Sequence, residues 1–114
     1  MIENLQKDLT VNFYLSVEIK DIEIYLLGAM NSFIKQNSHN WFKANDLVPT
    51  IWTETPLQKI YDFFYSNGLS DNDSKTESAK ILGQILKKII LDDSRTFETK
   101  KNNQKVSPRE YKLK

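Results

Sequence analysis

The stretch Ser74-Lys75-Thr76-Glu77-Ser78-Ala79-Lys80-Ile81-Leu82-Gly83-Gln84-Ile85-Leu86-Lys87-Lys88-Ile89-Ile90-Leu91 decides the fold. Leu82, Ile85, Leu86, Ile89 and Ile90 recur at three- and four-residue intervals, which puts them on one face of an α-helix. At about 100° per residue, Lys80, Gln84, Lys87 and Lys88 fall on the opposite arc. Ser74 and Glu77 read as a capping box, in which a hydroxyl and a carboxylate three residues apart satisfy free backbone N–H groups at the helix start. The spacing predicts a helix over 74–91 with an apolar face and a basic face.

Downstream, Arg95-Thr96-Phe97-Glu98-Thr99 reads as a strand and Val106 to Leu113 as its return, with Tyr111 and Leu113 on one face. Between them Lys100-Lys101-Asn102-Asn103-Gln104-Lys105 is a polar, basic tip. Pro108 cannot donate to a ladder, so the return strand lies at an edge or is kinked there.

Upstream, Thr55-Pro56-Leu57-Gln58 is a helix start: a capping hydroxyl, proline at the first helical position, and Gln58 able to close a capping box. Leu57, Ile60, Tyr61 and Phe64 form its apolar stripe, and Asn67-Gly68 supplies a left-handed stop. Asn45 is read as the cap of a short helix, Asp46–Trp52, with Pro49 in the tolerant first turn. Trp41-Phe42-Lys43-Ala44 reads as a short extended piece. Asp21 starts a helix whose stripe is Ile22, Leu26, Ala29/Met30, Phe33 and Ile34. It ends near Gln36, before Asn37-Ser38-His39-Asn40. Ile2, Leu5 and Leu9 have helical spacing. Over 10–19, Val11, Phe13, Leu15, Val17 and Ile19 alternate with Asn12, Tyr14, Ser16 and Glu18, which predicts a strand. A continuous helix is the alternative, since Leu5, Leu9 and Phe13 also lie four apart.

The 114 residues fit one domain, 1–114, and 39% hydrophobic content is enough for a core. The chain has no cysteine, which excludes disulfides, thiolate metal sites and a cysteine nucleophile. Its one histidine, His39, excludes a two-histidine metal site and reads as a solvated loop residue. Neither a metal nor a cofactor is expected, and no small-molecule ligand is evident. Met1-Ile2-Glu3-Asn4 lacks a basic n-region and the apolar runs are far short of a membrane span, so a cytoplasmic chain without membrane attachment is expected.

The net charge of +1 hides a division. Residues 1–74 hold 5 basic and 10 acidic residues, whereas residues 75–114 hold 11 basic and 5 acidic. Such asymmetry points to a polyanionic partner. Lysine outnumbers arginine 14 to 2, as an AT-rich genome would produce, but base composition does not explain why lysines gather in the C-terminal third.

This order of helix, short strand, helices, long capped helix and basic-tipped hairpin resembles the winged helix-turn-helix superfamily over residues 21–114. The resemblance implies an α+β winged helix-like fold of three to five helices, a short strand and a C-terminal β-hairpin wing. Residues 1–20 would be an N-terminal extension, in part a strand. The simplest winged helix has one helix between the short strand and the recognition helix, and here two are read. Ser78-Ala79, Leu82-Gly83 and Leu86, with Arg95 and Tyr111-Lys112-Leu113, also look like the C-terminal winged-helix modules of phage- and plasmid-type primase–helicases and replication proteins.

The resemblance implies that 74–91 enters the major groove of double-stranded DNA and that the wing, 95–113, touches the backbone or minor groove. The implied contacts are Ser74, Lys75, Thr76, Lys80, Gln84, Lys87 and Lys88 on the helix. Arg95, Lys100, Lys101, Lys105 and Arg109 belong to the wing. N–H groups at the helix start suit a phosphate, Gln84 is able to read adenine, and Arg95 and Arg109 suit bidentate contacts. The competing reading makes the lysines an ordinary solvated helix face and the arginines structural ion pairs with Asp92, Asp93, Glu98 or Glu110.

Trp41, Trp52, Tyr61, Phe63, Phe64 and Tyr65 lie in the acidic part. They read as core, because a base-stacking platform needs adjacent cations. Glu18-Ile19-Lys20 and Glu98-Thr99-Lys100 read E-x-K, a fragment of metal-dependent nucleases, with Asp8 and Asp92/Asp93 as carboxylate partners. Such triplets arise by chance in a Glu- and Lys-rich chain, and the expectation is a protein that is not an enzyme. Transcription regulation or DNA replication, in a mobile element or a bacterial host, is the expected setting. The rival is a protein-interaction or dimerisation module, in which the strand at 10–19 pairs with its copy in a homodimer.

Overall fold

The computed structural model describes residues 2–101 and 109–114, with side chains over 9–100 and 109–114. In chain order the elements are α1 (Ile2–Ser16), α2 (Lys20–Gln36), α3 (Ala44–Leu47), α4 (Gln58–Ser66), α5 (Asp71–Asp92), β1 (Phe97–Lys101) and β2 (Arg109–Leu113). The class is α+β: among the described residues there are five helices and a two-stranded antiparallel hairpin.

The long helix starts three residues before the expected 74. Ser70 is the N-cap: its backbone is extended and its hydroxyl accepts from the Asp73 N–H at 3.1 Å. The sequence holds two overlapping hydroxyl–carboxylate spacings, Ser70/Asp73 and Ser74/Glu77, and the first governs. Ser74 and Glu77 instead fall on the buried side, together with Ser78, Ile81, Leu82, Ile85, Leu86, Ile89 and Ile90.

Residues 10–16 are helical, which corrects the expected strand. Leu9 and Phe13, one turn apart, are buried, and the Phe13 ring lies 5.5 Å from Phe63 and 6.1 Å from Phe64. Packing of that i, i+4 pair onto α4 outweighs the alternating pattern, as tertiary contacts commonly decide short helices. The alternation leaves Val11 and Leu15 on the outside, 59% and 79% exposed.

Pro49 shortens the helix expected at 46–52. A residue before proline is driven to extended backbone. Val48 accordingly has φ −122° and ψ 151°, and α3 stops at Leu47. Its start also differs: Asp46, not Asn45, supplies the cap, accepting from the Lys43 N–H at 2.9 Å. Thr55 does act at the start of α4, its hydroxyl accepting from the Leu57 N–H at 3.2 Å, with a tight turn through Pro56 before the helix proper. At the other end Gly68 has φ +96°, and the Leu69 N–H reaches back to the Phe64 carbonyl, the glycine stop the sequence implies.

The hairpin pairs Phe97 with Leu113 through to Lys101 with Arg109. Phe42 joins it on the β2 side by an antiparallel bridge to Tyr111, with both backbone bonds at 2.8 Å. Phe42 and Tyr111 are buried, tying this short extended piece to the helical core. One hydrophobic cluster includes residues from all five helices, Phe42 and Tyr111. No helix among the described residues is long and apolar enough to cross a membrane.

Candidate nucleic-acid interface

Opposite its buried face, α5 exposes Thr76, Lys80, Gln84 and Lys87, with Gly83 half-buried among them. Thr76, Lys80, Gly83 and Lys87 follow a four-three-four spacing and so form one row along the helix. A Cβ built at Gly83 meets nothing within 4 Å. Among the described residues no packing requires glycine there, although it costs about 1 kcal/mol relative to alanine in a helix. Ser74 is fully buried, its hydroxyl without a hydrogen-bond partner among the described residues. The free N–H groups of the helix start belong to the turn carrying Asp71 and Asp73, whose carboxylates occupy the positive end of the dipole.

Most of the cations have partners. Lys75 pairs with Asp71 at 3.1 Å, Lys80 with Glu77 at 2.9 Å and Lys88 with Glu23 of α2 at 2.8 Å. The Glu23 hydrogen bond raises the Lys88 pKa. The Asp71 carboxyl is held below its ordinary range first by the Tyr61 hydroxyl and then by Lys75. Lys87 has no ion pair among the described residues. The lysine side chains of the three α5 pairs are 55% to 67% exposed. Lys75–Asp71, exposed at both ends, contributes only about 0–1 kcal/mol, so exchange of its carboxylate for a phosphate is cheap. Glu77, 5% exposed, depends on Lys80 to neutralise it. Gln84 accepts from the Tyr14 hydroxyl at 2.7 Å, which sets the end of α1 beside this row.

Arg95 is tied inward. Its Nε and Nη2 donate to the two carboxylate oxygens of Asp93 at 2.9 and 2.8 Å, and Nη2 also reaches Asn31 of α2 at 2.7 Å. This fork fastens the turn after α5 to α2, as the ion-pair reading anticipates, and holds the Asp93 carboxyl below its ordinary pKa. Arg109 donates to the Thr99 hydroxyl at 3.1 Å and stays exposed. Lys101 is its register partner. Lys105 lies outside the described residues. Glu98-Thr99-Lys100 lies on β1 as expected, but Glu98 faces Lys112 at 3.3 Å. Glu18-Ile19-Lys20 falls at the junction of α1 and α2, not on a strand.

The sequence reading missed one grouping. Trp41, assigned to the core, is half-buried beneath two lysines of the hairpin. Lys100 Nζ lies 4.4 Å and Lys112 Nζ 5.0 Å from its ring centroid. No local pattern brings residue 41 to residues 100 and 112; the Phe42–Tyr111 bridge does. Trp52, also assigned to the core, packs against it half-buried and at the same time lines an open cleft of about 620 Å³ with Val48, Ile51, Tyr61, Lys75 and Ser78. Phe64 is fully buried, as expected.

Comparison with known protein families, characterised proteins and solved structures yields no match to this chain.

Proposed function

We propose that the chain is a DNA-binding protein of winged-helix type, with α5 as recognition helix and β1–β2 as wing. It would act in the cytoplasm, in transcription regulation or replication of a mobile element or bacterial host. The observation that carries this reading is the Phe42–Tyr111 bridge. It sets one extended residue between α2 and α3 against the hairpin that follows the long helix with its outward basic row, which supports this reading. Lys87 and Arg109 would neutralise phosphates and release counterions, with Lys80 contributing from the 61% of its side chain left exposed beside Glu77, while Gln84 and Thr76 would bias sequence choice. Gly83, midway along the row, would let a sugar–phosphate backbone approach the helix. Lys75 and Lys88 would join by exchanging carboxylates for phosphates. Arg95 would position the wing from behind, through Asp93 and Asn31.

Binding to a random-sequence duplex, followed by mobility shift at low and moderate salt, tests this. Affinity should fall with a log–log slope of about −0.9 per phosphate neutralised. A salt-insensitive interaction would remove the mechanism.

A second reading, a protein-interaction or dimerisation module, draws on a separate observation: Val11 and Leu15 on α1 and Ile24 and Leu27 on α2 are exposed apolar residues. The mass on gel filtration with the shift experiment separates the two. A dimer with no duplex binding at low salt would favour the module.

A further inference from the structure

The outer face of the sheet carries a second arrangement, and it does not rest on the duplex reading. Phe42, Tyr111 and Phe97 pack toward the core. Side chains alternate along a strand, so their neighbours face outward. Carrying the register across the bridge places Trp41, Lys112 and Glu98 in one outward row and Lys43, Glu110 and Lys100 in the next. Lys114 continues the same face at the end of β2. Trp41 is thus a large aromatic at the edge of a charged surface, among four lysines and two glutamates.

The inner aromatic layer is complete without this ring: Phe42 already meets Phe33, Phe97 and Tyr111. What Trp41 adds is an indole whose face is covered by two mobile-ended lysine side chains, Lys100 and Lys112, and is opened when they turn to a phosphate. Lys100 is held loosely, 3.9 Å from Glu110, whereas Lys112 pairs with Glu98 at 3.3 Å. A platform of this kind suits a single nucleic-acid strand, because every base has a face to stack and every linkage an anionic phosphate.

We infer that the outer sheet face binds single-stranded nucleic acid, one base stacking on Trp41 while Lys100 and Lys112 swing to the flanking phosphates. Lys43 and Lys114 extend the phosphate path along the sheet. An acidic polypeptide would satisfy the lysines but would gain nothing from an indole.

The test is a fluorescence titration of the full chain carrying Trp52→Phe, which leaves Trp41 as the reporter, with a fifteen-residue oligo(dT). Quenching that saturates at low salt and weakens at moderate salt is expected. Trp41→Ala, followed by anisotropy of labelled oligonucleotide, should lose about tenfold in affinity, and Trp41→Phe should retain most of it. Lys100→Ala with Lys112→Ala should lose a similar factor while the thermal melt stays in place, which guards against a Trp41 variant that fails to fold. Lys87→Glu should leave oligo(dT) binding unchanged, so failure of the duplex reading and failure of this one are distinguishable. Three results would each overturn the inference. These are no quenching at low salt, a folded Trp41→Ala that binds oligo(dT) like its parent, or equal quenching by polyglutamate.

Discussion

α1 and α5 are both amphipathic helices at the edge of the same core, yet only α5 can be read from its sequence. The large apolar residues of α5 lie almost entirely on one side, with Leu91 the exposed exception. Those of α1 point both ways: Leu9 and Phe13 inward, Val11 and Leu15 outward. A period is diagnostic only when the opposite face is polar. α1 also has an unused apolar face, whereas the outward row of α5 is polar and basic.

That contrast breaks most readily by truncating the inward residues. Phe13→Ala should cost about 3–5 kcal/mol and Leu82→Ala about 2–5 kcal/mol in urea unfolding, because both are fully buried. A loss below about 1 kcal/mol at Phe13 would make α1 an appendage and not part of the fold.

On the outward row, Lys87→Glu should leave stability within about 0.5 kcal/mol. It should lower duplex affinity about tenfold and reduce the magnitude of the salt slope by about 0.9. Unchanged affinity would make the row a solvated face. Gly83→Ala sharpens the same point, since alanine removes a helix penalty of about 1 kcal/mol without meeting any neighbour. The melting temperature should rise. If the row receives a DNA backbone, duplex affinity should fall in the same variant.

The smallest effect lies where the two helices meet. Burial pushes the Tyr14 pKa up to about 12. The folded state therefore favours the neutral phenol, whose contribution is whole below the ordinary value near 10 and is lost as pH rises toward 12. Between pH 8 and pH 11 the parent should lose more stability than Tyr14→Phe. Equal losses would mean the phenol is not sheltered there. Tyr61, raised to about 12 by its hydrogen bond to Asp71, titrates alike in both proteins and cancels.

Much of the fold follows from local chemistry: the stripe Ile22, Leu26, Met30 of α2, the Asn67-Gly68 stop, the core face of α5 and the hairpin. The errors have local causes too. Ser70 and Ser74 offer equivalent capping spacings, and only packing against α4 buries the second. Pro49 constrains Val48 more than its own position suggested. The candidate site was legible where it is a helix row. It was illegible where it depends on distant partners: Glu23 on Lys88, Asp93 and Asn31 on Arg95, Tyr14 on Gln84, and two lysines on Trp41. Charge counts place lysines in the C-terminal third, but do not say which have a carboxylate within reach.

The outward row of α5 is the surface proposed to meet duplex DNA. The most direct measurement is fluorescence anisotropy of a labelled random duplex against the full chain and Lys87→Glu, over a series of salt concentrations. Log affinity should fall linearly with log salt in the parent, and the variant should give a weaker, shallower line. Coincident lines for the two proteins, or no binding at the lowest salt, would contradict it.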